Sequence, residues 1–362
     1  MSATLFLNGL ILQCSRHIQD ARSISAIFYI LRGKRSIQTV HDARMFHLEN
    51  YYGTYQSLNR KLFNQRVHQL SHEGLLQKIS HSEDLFTLSK RGQTWLENIV
   101  NKRIFPFDYF NGFNNHQLAA TFFARLRLFI QTYTNSRMNH LTFIPIIDDA
   151  HITSWVKSFY VRNNHEDAFI LQLLYRDLAN ILGHLDQREA EFFIDQFSGY
   201  KQYGLSTSQL AVKYDLSRED VILLSVAITH KIIQFIQQFQ EQLKLLPVFI
   251  RDISKNQFIT KSAQTTYNLF KRGYDIQQIA HIRQLKENTI CDHFVEISLF
   301  DTSFPVEDYV DEEAQREIVR ASQKLQTPQL KEIKQVVSEH ITYFQIRLVL
   351  AQLNMTQGED HG

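Results

Sequence analysis

The sequence predicts a mainly α-helical protein: an N-terminal winged helix with a small β-hairpin wing, a central helical domain and a C-terminal helix-turn-helix domain. Three observations lead there. The 362 residues include only 12 glycines and 5 prolines, well below the usual shares of about 7% and about 5%, which disfavours turn-rich β folds and long linkers. Apolar residues recur at helical spacing along most of the chain, and the period shortens to two over only one short stretch. Hydrophobic residues make up 44% and aromatic residues 12%, enough for packed cores without metal or disulfide staples. At roughly 100–200 residues per domain, we place the boundaries at 1–104, 105–250 and 258–354, with a disordered tail at 355–362.

Taken in order, residues 5–18, 23–31, 39–51 and 59–73 each show a helical apolar stripe, as in Phe63, Val67 and Leu70 of the fourth. Gly53 and Gly74 fall just past helix ends, where a left-handed residue closes a helix. Residues 75–79 and 85–88 then alternate around a polar turn whose tip carries Glu83 and Asp84, and a closing helix spans 93–100. Helices, hairpin, helix is the order of a winged helix. The aromatic stretch from Phe105 to Phe110 reads as a linker packed on its neighbours, so 101–115 is the first expected boundary.

Two further units share one spacing. In the central domain a helix-turn-helix-like unit lies within about 187–245, and when Ala211 is aligned with Ala280, Leu216 falls on Leu285 and Val221 on Ile290. Two short helices crossing steeply need a small residue where they touch, a tight turn, and an apolar residue from each to seal the angle. Ser206-x-x-Gln209, Ser217-x-x-Asp220 and Asp275-x-x-Gln278 have the spacing of capping boxes. From Arg218 to Phe235 the helix is apolar on nearly every face, which makes it scaffold. The C-terminal counterpart instead offers Lys286, Glu287, Asn288, Asp292 and Glu296 on its outward side, a net acidic face suited to docking a protein partner rather than phosphate.

Charge divides unevenly along the chain. Residues 1–104 hold 14 Lys and Arg against 7 Asp and Glu, and residues 301–362 hold 6 against 11, so a polyanion would meet the N-terminal part. The helix before the wing is the usual groove reader, and Arg60, Lys61, Asn64, Gln65 and His68 are its outward residues. Arg32, Lys34 and Arg35 form a second basic cluster. These cations and amides suit phosphates and base edges.

Enzyme classes find little support. Around Gly33-Lys34 a P-loop would need Gly where Phe28 stands and Ser or Thr where Arg35 stands. Asp148, Asp149, His165, His184, His230 and His281 lack metal-site spacing. Cys14 and Cys291 are far apart with no CxxC, consistent with a reduced cytoplasm, and no apolar run approaches a membrane span. We therefore expect no cofactor, no metal and no small-molecule substrate. A helix-turn-helix transcription regulator is one reading of these units.

The stretch 265–294, with Thr266, Leu269, Gly273, Ile276, Ile279, Ala280, Arg283, Leu285, Thr289, Ile290 and His293, resembles the helix-turn-helix at the C-termini of RecQ-type helicases. Gly33-Lys34-Arg35-Ser36-x-Gln38-Thr39 with Asp42, and Phe122-x-x-Arg125-Leu126 to Gln131, resemble the YpbB-like proteins of Firmicutes, over essentially the whole chain. Those proteins are typically encoded beside a RecQ-type helicase. The resemblance implies a non-catalytic, DNA-binding accessory partner of such a helicase in repair or recombination, cytoplasmic and associated with the nucleoid.

Overall fold

The computed structural model describes residues 5–19, 21–79, 84–101, 105–163, 166–253, 259–301, 303–325 and 330–359. In chain order the elements are α1 Leu5–Ile18, α2 Ser25–Arg32, α3 Ile37–Met45, α4 Arg60–His72, β1 Leu76–Lys78, β2 Phe86–Leu88, α5 Lys90–Asn101, α6 Gly112–Arg137, α7 Ala150–Arg162, α8 Asp167–Leu182 and α9 Gln187–Ile194. They continue with α10 Thr207–Tyr214, α11 Arg218–Gln238, α12 Val248–Arg251, α13 Lys261–Phe270, α14 Ile276–Arg283, α15 Glu287–Ser298, α16 Glu312–Leu325, α17 Leu330–Val336 and α18 Tyr343–Glu359. The protein is mainly helical with one small antiparallel hairpin, Leu76 facing Leu88 and Lys78 facing Phe86. The hairpin tip at 80–83, including Glu83, lies outside the described residues.

Local chemistry explains most boundaries. Asn59 caps α4 by accepting from the Lys61 amide at 2.7 Å, and the helix closes through Gly74 at φ +70°, with the Leu75 amide returning to the Leu70 carbonyl at 2.8 Å. The helix expected over 39–51 is shorter, because His47 turns left-handed (φ +52°) and the Leu48 amide closes on the Ala43 carbonyl at 2.7 Å. A 3-10 turn at Glu49–Tyr51 follows. The closing helix α5 starts earlier than 93 because Ser89 Oγ accepts from the Gly92 amide at 2.9 Å. At the other end α18 continues through 355–359, in place of the expected tail, since no strong helix breaker precedes Gly358.

Packing groups the chain into two units. The first comprises the described residues within 1–20, 31–33 and 49–254, and the second those within 21–30, 34–48 and 255–362. Thus 21–30 and 34–48 group with the C-terminal helices, and the described residues of 101–115 fall inside the first unit. Phe105 shows why: it stacks on Phe6 of α1 at 4.3 Å and meets Phe110 at 5.4 Å.

In the first unit α1 packs against α4, the hairpin, α5 and α11. The amides of Leu5, Phe6 and Leu7 donate to Asp220 of α11 at 3.0, 2.9 and 3.4 Å, so a carboxylate 215 residues away caps α1. The 26-residue α6 is the central post, against α7, α8, α11 and α12, with Phe122, Phe129, Tyr133, Phe192, Phe193 and Phe249 buried in one core. Arg125 of α6 forks onto Asp252 at 2.6 and 2.8 Å, donates to the Phe249 carbonyl at 2.8 Å and lies over Trp155. Gln131 holds the 144–146 backbone by donating to the Ile144 carbonyl and accepting from the Ile146 amide.

In the second unit α15 packs against α13, α14 and α18, and α3 lies against α15 and α18. Arg44 of α3 donates to the Leu299 carbonyl, while Ser36 caps α3 and Asp42 pairs with Arg22 at 2.9 Å. No helix among the described residues is long and apolar enough to cross a membrane.

Candidate nucleic-acid interface

Lys61, Asn64, Gln65 and His68 stand at i, i+3, i+4 and i+7 of α4, so they share one face, and all four are exposed. The opposite face buries Phe63, Val67 and Leu70, which fixes the rotation of the helix. Arg66, Gln69 and Glu73 form a hydrogen-bonded row along its flank, at 2.9 and 2.8 Å. Arg60 is placed differently from the expectation: it is half-buried with its guanidinium 6.0 Å above the Phe63 ring, because the first helical turn rotates it toward the core. Lys78, Lys90 and Arg91 are exposed on the hairpin and α5 of the same unit. Sequence reasoning does not single them out, although the hairpin pattern already places Lys78 on a strand.

The second basic cluster divides between the units. Arg32 belongs to the first and donates to the Gln56 carbonyl at 3.1 Å, whereas Lys34 and Arg35 belong to the second, with Lys34 over the Tyr29 ring at 4.0 Å. All three are exposed.

The α10–α11 and α14–α15 pairs repeat one another in their turns. Ser206 and Gln209 form a full capping box at α10, and Asp275 and Gln278 do so at α14. Asp215 and Gln284 then adopt left-handed φ values of +53° and +52°, and the amides of Leu216 and Leu285 return to Ala211 and Ala280 at 2.9 and 3.0 Å. At α11 the expected box is half made: Ser217 accepts from the Asp220 amide, but the Asp220 carboxylate is taken by α1.

In the C-terminal unit Arg283 donates to the Ser262 carbonyl and to Thr266 Oγ1, and lies 3.3 Å from His293 Nδ1. These residues tie α13, α14 and α15 together and are packing groups. Burial, then the Arg283 charge, holds His293 below the usual imidazole range. Lys286, Glu287 and Asn288 are exposed at the start of α15. Asp292 is half-exposed and paired with Arg347 of α18 at 2.7 Å. Glu296 departs from the expected outward face: its carboxylate accepts from the Thr260 amide and hydroxyl, at the cap of α13. Burial raises its pKa despite those bonds.

The histidines and acids considered as ligands have local duties. Asp149 caps α7 by accepting from His151 and Ile152 amides, His184 stacks on Phe239 at 4.9 Å, and His281 is exposed. His230 accepts from the Asn111 amide at 3.1 Å and is fully buried, which pulls its pKa down to about 3. His165 lies outside the described residues. Among the described residues no group of three or more His, Cys, Asp and Glu side chains converges as metal ligands would.

Residues 262–350 match a family described as a helix-turn-helix domain, a class of module that suggests DNA binding. No solved structure matches the chain. Protein YpbB of Bacillus subtilis (strain 168) is 30% identical over 351 residues, covering 96% of this chain and 97% of that protein. With the likeness running through the helix-turn-helix and on through nearly the whole length of both chains, the protein belongs to the YpbB family.

Proposed function

We propose that this protein is a non-catalytic, DNA-binding accessory partner of a RecQ-type helicase, acting in repair or recombination at the nucleoid. The observation that carries the DNA-binding part is the exposed face of α4, where Lys61, Asn64, Gln65 and His68 stand together ahead of the hairpin. A cation can meet phosphate there while amides and imidazole reach base edges. The helicase part is supported by the resemblance of residues 265–294 to the helix-turn-helix at the C-termini of RecQ-type helicases. Its docking surface is the start of α15, with Lys286, Glu287 and Asn288, and Asp292 at its edge. Glu296 drops out of that surface because it caps α13.

Pull-down of the cell's RecQ-type helicase by the full chain, with and without DNA, tests the reading. Capture by the wild type and its loss in Glu287→Lys/Asn288→Ala support it; no capture in either condition overturns the partner assignment. For DNA, Lys61→Glu weakens duplex affinity and flattens the log–log salt slope by about 0.9 for each phosphate that is no longer neutralised. Unchanged affinity and slope would remove α4 from the interface. A regulator reading draws on the two matched helix-turn-helix turns, and a sharp footprint at one half-site spacing would favour it.

A further inference from the structure

A cavity of about 920 Å³ opens on the first unit between α6, α8 and the segment joining α9 to α10, far along the chain from α4. Its floor is apolar, with Ile130, Leu171, Phe197 and Leu205. Its rim includes Gly199, Tyr200, Gln202 and Tyr203, held in a turn that also contains Lys201 and Gly204. Gly199 and Gln202 exchange backbone bonds at 2.9 and 3.2 Å, the Tyr200 amide donates to Thr134 Oγ1 at 3.1 Å, and the Gly204 amide donates to Ser198 Oγ at 3.0 Å. Gly204 packs so closely that a Cβ there would lie 2.6 Å from the Gln196 carbonyl oxygen. The turn is therefore fixed, yet it holds the Tyr203 ring 84% exposed.

Cations lie on the turn and along the cavity. Lys201, left-handed at the tip, places its ammonium 5.2 Å over Tyr200, and Arg137 and Lys213 line the cavity. Among the described lining residues the carboxylate is Asp195, already engaged by Lys213 at 2.6 Å and by the Tyr214 hydroxyl at 2.7 Å. One helical turn past Leu171 on α8, Tyr175 is a further aromatic, 75% exposed.

We infer that this groove binds single-stranded nucleic acid without strong sequence preference, as a second site distinct from the α4 face. Aromatic faces stack on any base, and flanking cations follow the backbone, which is the combination single-strand binders use. A duplex would not fit the same chemistry, because its base faces are already stacked on each other. The net positive rim, with its carboxylate neutralised, favours a polyanion over an apolar peptide as the occupant.

The test is fluorescence anisotropy of a labelled oligothymidylate of about 20 nucleotides with the full chain at low salt. Wild type binds; Tyr203→Ala loses about 5- to 150-fold in affinity, the worth of one stacked base, and Tyr203→Phe keeps it. Lys201→Gln flattens the salt slope by about 0.7, the share of one single-strand phosphate. Thermal melts unchanged from wild type show that the variants fold. Wild-type failure to bind, or binding untouched by Tyr203→Ala and Lys201→Gln as a peptide groove would give, overturns the proposal. Should Lys61→Glu abolish single-strand binding while Tyr203→Ala leaves it intact, the strand lies on α4; this inference then fails and the α4 reading stands.

Discussion

Asp220 is 1% exposed and answers three amides at the start of α1, so its loss should be felt far from α11. Asp220→Ala orphans those donors, each costing about 1–3 kcal/mol when buried, and a large drop in melting temperature with weakened amide protection in α1 is the expected result. Asp220→Asn, which keeps one acceptor oxygen, should fall between. Buried imidazoles contribute to acid sensitivity. His230 and His41 are held neutral, at about 3 and about 4, burial being the main cause in both. A depressed folded value means the stabilisation is complete above the unfolded value near 6.5 and is lost as pH falls from there toward 3–4, at up to about 1.4 kcal/mol per pH unit for each group. His230→Asn retains an acceptor for Asn111 but does not titrate, so its melts should decline less steeply than wild type between pH 6.5 and 4. Residues such as Ser206 and Gln209 were legible because their bond spans three positions; the Asp220 role was not, because its partners are more than 200 residues away.

At the level of elements, the turns of α10–α11 and α14–α15 were readable from a constant offset, the Leu216 and Leu285 amides closing on Ala211 and Ala280; the small residues there are expected at the helix crossings. Ala280 is 7% exposed, whereas Ala211 is half-buried. Ala280→Leu should therefore overpack its crossing by about 1–3 kcal/mol, and Ala211→Leu should shift the melt less; equal shifts would mean the two crossings are packed alike. The outward face of α15 was only partly readable. A helical wheel puts Glu296 beside Asp292, but α13 arrives from outside that helix and takes the Glu296 carboxylate for Thr260. Glu296→Lys is accordingly expected to lower the melting temperature, while Glu287→Lys leaves stability within about 0.5 kcal/mol of wild type. The end of α3 was hidden for a different reason: His47 takes a left-handed closure that glycine usually signals.

For the whole molecule, helical class and the C-terminal module followed from composition and spacing, but the grouping of 21–30 and 34–48 with 255–362 did not. Those segments carry ordinary amphipathic patterns that fit either set of neighbours, and only packing of α3 on α15 and α18 decides. A fragment spanning 259–359 should melt below the same fragment supplied with a peptide spanning 21–48; identical melts would show that α3 contributes nothing to that core. The arrangement also has a consequence for synthesis. Chain emerging at about 5–20 residues per second releases α3 from the ribosome well before α15 and α18 exist, a wait of roughly 10–60 s for the roughly 250–300 residues between them. Throughout that interval α3, which buries Val40 and Ala43 in the finished protein, lacks the α15 and α18 surfaces it packs on, so its apolar stripe must wait for the end of the chain before that part of the core can close.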